Sequence, residues 1–279
     1  FFFKQKTAYE IPKRDWSSDV CSSDLRWFIV FALITAWSRS AVPRALEQCR
    51  PHWRYMMVMG AVGFTCANAS FFVGARHTSG FNIAIIPGIM PAFVLIGLWL
   101  FVGVRPSPLR VAGAAITILG IAVVATQGDL TALSRLELNR GDLFQMMGSA
   151  FYAGFTIGLR KRPNLPAFPF FIGLAFAAML SALPLLAIEI AMGEAQLPGV
   201  RGVTALLYVA VLTSIVGHSL WIKAIDAIGP GRAGIFQNLS PIVGAGASVL
   251  LLGESFHAYH AVSLALVIGG IWVSERLAR

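Results

Sequence analysis

The chain has 279 residues, of which 57% are hydrophobic and only 13% charged; a soluble domain averages about 25% charged residues, which excludes an ordinary water-soluble fold. The formal net charge of +9 does not mark a nucleic-acid binder, because the cations sit in short loops between apolar runs, a topology pattern rather than a basic patch. The three cysteines, Cys21, Cys49 and Cys66, make no disulfide or metal pattern.

Residues 1–25, FFFKQKTAYEIPKRDWSSDVCSSDL, lack the apolar core and small-residue cleavage site of a signal peptide. Back-translated, Phe3–Glu10 and Trp16–Leu25 resemble two parts of a common sequencing adaptor, with Pro12–Arg14 in the place of its variable index. The native sequence is therefore expected to begin near Arg26. Nine apolar runs follow: 27–43, 55–75, 81–104, 109–126, 143–159, 168–191, 203–222, 233–252 and 258–274. A bilayer span needs about 20 mostly apolar residues. Backbone groups in hydrocarbon must be satisfied within the segment, so helices are expected.

The first run carries Trp37 and Arg39 near its end, and the arginine is expected to snorkel to the membrane surface. The second holds Thr65, Asn68 and Ser70. The third opens on Asn82 and contains Pro87 and Pro91. The polar stretch 127–142 is the longest connection and reads as a linker. In the fifth run Gln145, Ser149, Tyr152 and Thr156 step by four, three and four, so they share one helix face that should turn from lipid to the bundle. Gly154 and Gly158 on another face make a small-residue packing pair. Glu189 ends the sixth run at the interface. The seventh carries Thr213, Ser214, His218, Ser219 and Trp221, with Lys223 and Asp226 placed to pair beyond it. The eighth contains Gln237, Asn238 and Pro241. His257 and His260 stand three apart at the start of the last; with no third ligand nearby they read as a surface pair rather than a metal site.

The chain repeats itself. Met90-Pro91 through Phe101-Val102-Gly103 returns 150 positions later as Ser240-Pro241 through Leu251-Leu252-Gly253, and the same offset pairs Gly120 with Gly270. Ser40-Ala41-Val42-Pro43 returns as Ser181-Ala182-Leu183-Pro184. The run at 143–159 has no mate; its place falls in the adaptor-like stretch. Nine helices remaining from a ten-helix, five-plus-five inverted repeat are thus expected, with a pseudo-twofold axis in the membrane plane. The halves are residues 26–126 and 143–279. Counting Lys and Arg at alternating ends gives Arg44, Arg50, Arg54, Arg105, Arg110, Arg160, Lys161, Arg162, Lys223, Arg232, Arg276 and Arg279 against Arg76, Arg135, Arg140 and Arg201. The positive-inside rule places the first set, and the C-terminus, in the cytoplasm.

Leu252-Gly253-Glu254, Pro241 within the preceding run, and Gly141-Asp142 followed by Ser149-Ala150-Phe151-Tyr152 resemble the drug/metabolite transporter superfamily, EamA type, over about residues 26–275. One departure is Gly103-Val104, where the family often has Gly-Glu. The resemblance implies a secondary transporter of the bacterial inner membrane that exports small metabolites, amino acids or drugs. It implies no cofactor and leaves a homodimer open. The alternative is a membrane-embedded enzyme or receptor; the acid, histidine or HExxH clusters an enzyme would need are missing from the sequence.

Polar groups within spans are costly and are the first candidates for a solute pathway. Asn68 and His218, 150 apart, would line a central cavity, or else serve helix–helix hydrogen bonds, worth about 0.6 kcal/mol on average. Asn82, Gln237 and Asn238 stand near Pro91 and Pro241, which either break helices at the solute site or kink them for packing. Tyr152 and Gln145 complete the candidate set. Trp37 and Trp221 would stack on a flat solute or, the blander reading, anchor helix ends at the interface.

Overall fold

A computed structural model of the chain describes residues 19–135, 138–192, 200–244, 246, 255 and 257–276. Every regular element among the described residues is helical. Residues 1–18 lie outside the described residues. Residues 19–25, expected to precede the native sequence, form the start of α1 (Asp19–Trp37).

The apolar run 27–43 is not one helix. α1 stops at Trp37, and α2 (Ala41–Cys49) begins after a short turn. The turn falls at the polar Ser38-Arg39-Ser40, and Pro43 then stands in the first turn of α2, where its missing N–H costs no intrahelical bond; its repeat mate Pro184 lies inside the unbroken helix Ala167–Ala191. α2 is amphipathic: Val42, Ala45 and Cys49 are buried, whereas Pro43, Arg44 and Glu47 are exposed. The expected loop around Arg44–Arg54 is thus largely helical. It runs on through a 3-10 turn (Arg50–His52), α3 (Trp53–Gly60), a π-helical segment (Ala61–Cys66) and α4 (Ala67–His77).

After Ser79, whose hydroxyl caps Asn82 N, α5 (Gly80–Ile85) leads through a 3-10 turn (Ile86–Ile89) into α6 (Met90–Val102). Pro87 and Pro91 each stand in the first turn of a new helical segment. They divide the run without leaving an interior donor missing. α6 ends at Gly103, φ +74°, with Gly103 N on Trp99 O and Val104 N on Leu98 O. The bond from Gly103 N to the carbonyl four residues back is that of an αL stop, which needs a residue free to turn left-handed.

α7 (Pro108–Ala125) starts from a Ser107 cap, and α8 (Arg140–Gly158) from an Asn139/Asp142 capping box. α9 (Ala167–Ala191) follows. α10 (Val200–Tyr208), a second π-helical segment (Val209–Gly217) and α11 (His218–Ile228) form one continuous rod. α12 (Pro230–Phe236) passes through a 3-10 turn (Gln237–Leu239) into residues 240–244, so Pro241 repeats the setting of Pro91. Most of the eighth run beyond 244 lies outside the described residues. α13 (Ala258–Arg276) ends the described chain.

Six of these helical stretches are long and apolar enough to cross a membrane: Ala41–His77, Asn82–Val102, Pro108–Ala125, Ala167–Ala191, Gly202–Ile228 and Ala258–Glu275. The result is an all-α polytopic bundle. α9 lies at its centre, with Phe170, Phe171, Ile172 and Leu174 buried against Trp27, Phe64 and Phe155 in one core. α8 is interior too: Gln145, Ser149 and Thr156 are buried, as their shared face predicts. Gly158 packs against Met59, but Gly154 faces open space.

Backbones approach most closely at two crossings. A Cβ on Gly141 would lie 2.5 Å from Gly74 O, joining α8 to α4. A Cβ on Gly113 would lie 2.5 Å from Gly270 O, joining α7 to α13. α7 and α13 are antiparallel, since Gly120 lies against Ser263. At the cation-rich end Asp226 pairs with Arg162 at 2.8 Å rather than with neighbouring Lys223, and Arg232 pairs with Glu275 at 2.7 Å.

Candidate functional site

The polar side chains inside the bundle fall into three groups. At the end of the bundle where α4, α5 and α8 meet, Asp142 is 1% exposed. Its carboxylate accepts from Asn82 Nδ2 at 3.0 and 2.9 Å, from Asn139 N at 2.8 Å and from Thr78 Oγ1. The sequence placed Asp142 in a polar linker. Its burial follows from the capping box, which folds the carboxylate back over the first turn of α8. Asn82 is therefore held in a helix–helix bond. Gln145 is held similarly, donating to Phe71 O at 2.9 Å.

The second group joins the halves. Asn238 donates to Thr117 Oγ1 at 3.0 Å and to Gly88 O at 3.4 Å, and all three lie in the interior. Gln237 is half-buried beside it. Ser263 Oγ donates to Gly120 O at 2.6 Å on the same α7–α13 seam.

The third group surrounds His218. Its ring meets Phe64 edge-on at 4.6 Å between centroids, Trp27 at 5.7 Å and Tyr152 at 6.5 Å. Trp27 stacks on Phe64 at 4.4 Å, and Tyr152 lies 6.2 Å from Trp221. The Arg26 guanidinium sits 5.3 Å from the Trp27 ring centre. Trp27 and Phe64 are fully buried, whereas Tyr152, His218 and Trp221 are half-buried. The cluster has unspent polar capacity: Ser214 Oγ and the indole nitrogens of Trp27 and Trp221 are buried without a hydrogen-bond partner among the described residues. Buried donors are seldom left unpaired. Asn68 stands one turn from Phe64 and donates to its carbonyl. Trp37, by contrast, is 84% exposed at a helix end.

Of the seven sequence candidates, His218 and Tyr152 are thus brought together and Asn68 lies nearby. Asn82, Gln145 and Asn238 are tied between helices elsewhere. Sequence reasoning missed Phe64 and Trp27, and named Ser214 among the polar groups of its span without giving it a place in the site. Apolar rings give no signal in an apolar run, but Ser214 stands four before His218 and was within reach of a helical-face argument. His257 and His260 stay local, with His257 N on His260 Nδ1 at 3.1 Å. No group of three metal-ligating side chains occurs among the described residues.

Comparison with known proteins bears on this arrangement. The EamA-like transporter family matches twice, over residues 25–126 and again over 139–275. The chain belongs to the EamA-like transporter family. It is 26% identical over 238 residues to the uncharacterised transporter YyaM of Bacillus subtilis, covering 84% of this chain and 76% of that one. An uncharacterised transporter of Archaeoglobus fulgidus is 22% identical over 259 residues, 89% and 85% of the two chains. The uncharacterised inner membrane transporter YicL of Salmonella typhimurium is 24% identical over 206 residues, 72% and 66% of the two. A solved crystal structure shares the fold with a TM-score of 0.74 at 17% identity, covering 98% of this chain and 93% of that one. The EamA-like family is one of transporters, not enzymes, and the present member is an integral membrane protein.

Proposed function

We propose that this EamA-like protein is a secondary transporter that exports small metabolites, amino acids or drugs across a bacterial inner membrane by alternating access, with its C-terminus in the cytoplasm. The observation that carries the reading is the double family match, one to each half of a single helical bundle.

The same halves are proposed to form an inverted repeat, and the contacts support it. Moved by 150 positions between halves, the Gly113–Gly270 contact becomes Ser263–Gly120, and Thr117–Gly270 becomes Val267–Gly120; all four are close approaches. An antiparallel pair whose contacts survive exchange has a twofold axis across it, which for spanning helices lies in the membrane plane. Gly88 and Asn238, themselves 150 apart, touch, as only mates near such an axis can.

The solute contacts are assigned to Tyr152, His218 and Trp221, with Asn68 beside them, because these groups are half-buried and Ser214 and Trp221 retain unused polar atoms there. Asn82, Gln145 and Asn238 are assigned to holding helices, and Gln237 to the edge of the Asn238 joint. Pro91 and Pro241 divide matching rods and serve as paired hinges. In proteoliposomes loaded with a panel of labelled amino acids and nucleosides, the protein should release at least one faster than protein-free vesicles. Tyr152→Ala should then slow that release by about two- to tenfold, the loss of one aromatic contact. No protein-dependent release of any compound would count against the reading.

A further inference from the structure

Ala61–Cys66 and Val209–Gly217 are the two π-helical segments among the described residues. Moved by 150 positions, the first becomes 211–216, wholly inside the second. The same rare winding therefore stands at the same place in both halves. π winding replaces the usual i→i+4 pairing by i→i+5 and passes over carbonyls that an α-helix would use. In a membrane span those carbonyls need another donor.

In both halves a side chain just beyond the segment reaches back into it. Asn68 Nδ2 donates to Phe64 O, and His218 Nδ1 donates to Thr213 O at 3.0 Å. A carbonyl only accepts, so the atom facing it is the amide nitrogen in one case and the protonated ring nitrogen in the other. The two residues are mates in the repeat. They differ in type, but each places an N–H donor two bonds beyond Cβ. Both latches also meet: Phe64, whose carbonyl is held by Asn68, presents its ring to the His218 ring at 4.6 Å.

We propose that Asn68 and His218 are paired positioning residues, each latching the π-helical segment before it and so fixing the rotational register of α4 and α11. A segment released into α winding would turn the helix beyond it by one residue, about 100°. In α11 that would move Ile222 and Ile225 off the buried face they now hold. Because the two latches share the Phe64–His218 contact, release in one half disturbs the seat of the other. This role is independent of any solute contact.

The test is an oxygen-accessibility scan of spin labels placed singly at residues 219–225 of the full chain, with Cys21, Cys49 and Cys66 replaced, in lipid bilayers. The unmodified latch should give minima at Ile222 and Ile225 and high values at Leu220 and Lys223, the exposed positions. H218N keeps an Nδ donor, as its mate Asn68 does, and should leave the minima in place. H218F removes the donor and should move them by one residue. If H218F does not fold, the mirror pair N68H and N68L, scanned over residues 69–75, reads the same quantity against the buried positions Ser70 and Gly74. An unmoved pattern in the donorless variant overturns the proposal. So does an equal shift in H218N, or in N68H, since general loosening would not be rescued by restoring the donor.

Discussion

Asp142→Ala is expected to destabilise the bundle by about 3 kcal/mol. The carboxylate accepts from two side chains and one backbone N–H while almost fully buried. Hydrogen bonds to charged groups contribute about 1.5–3 kcal/mol, and a buried donor left unpaired costs about 1–3 kcal/mol. Alanine removes the acceptor yet leaves the Asn82 amide in place, and it also deletes half of the capping box that starts α8. Thermal or SDS unfolding in detergent, followed by tryptophan fluorescence, measures the loss. A double-mutant cycle with Asn82→Ala should return a coupling of about 1–2 kcal/mol, since neighbours in one network are not additive. An Asp142→Ala protein that melts with the unmodified chain would show that this joint holds nothing.

Gly270→Leu should be as damaging for a different reason. A Cβ there would lie 2.7 Å from Gly113 O and 2.9 Å from Thr117 N. Both are backbone atoms of α7 and cannot swing away like the end of a side chain. The helices must separate, at a cost of about 3 kcal/mol, the upper end of the usual penalty for overpacking. The neighbouring residue supplies the control. A Cβ on Gly269 meets nothing within 4 Å, so Gly269→Leu should change stability by no more than about 0.5 kcal/mol. Comparing the monodisperse yield and melting temperature of the two variants decides the matter. Equal behaviour would refute the close crossing.

The spans were legible because hydropathy sets them: a run of 18 to 25 apolar residues has few alternatives to a membrane helix; the doubling was legible because proline and glycine positions recur 150 residues apart. What hydropathy does not carry was misread. Ser38-Arg39-Ser40 argued against a continuous helix over 27–43, but the apolar Ala41-Val42 beyond it masked the break. Asn139 and Asp142 spell a capping box three apart, a readable signal, yet their place in a charged connection made them look solvent-facing. The polar face of α8 was predictable from spacing alone. The aromatic cluster was not, since Trp27, Phe64 and His218 come from three separate elements and only packing brings them together. The Asp226 partner was missed for the same reason: Arg162 is 64 positions away in sequence, whereas Lys223 is three.

The matching π-helical segments also show shape and sequence parting company. They stand at one place in both halves, where the chain reads AVGFTC and VLTSIV and all six paired residues differ. The winding is therefore tied to a place in the bundle and not to a shared string. The asparagine and the histidine beyond the two segments meet that place with different chemistry, one returning an N–H to a carbonyl four residues back and the other to a carbonyl five back.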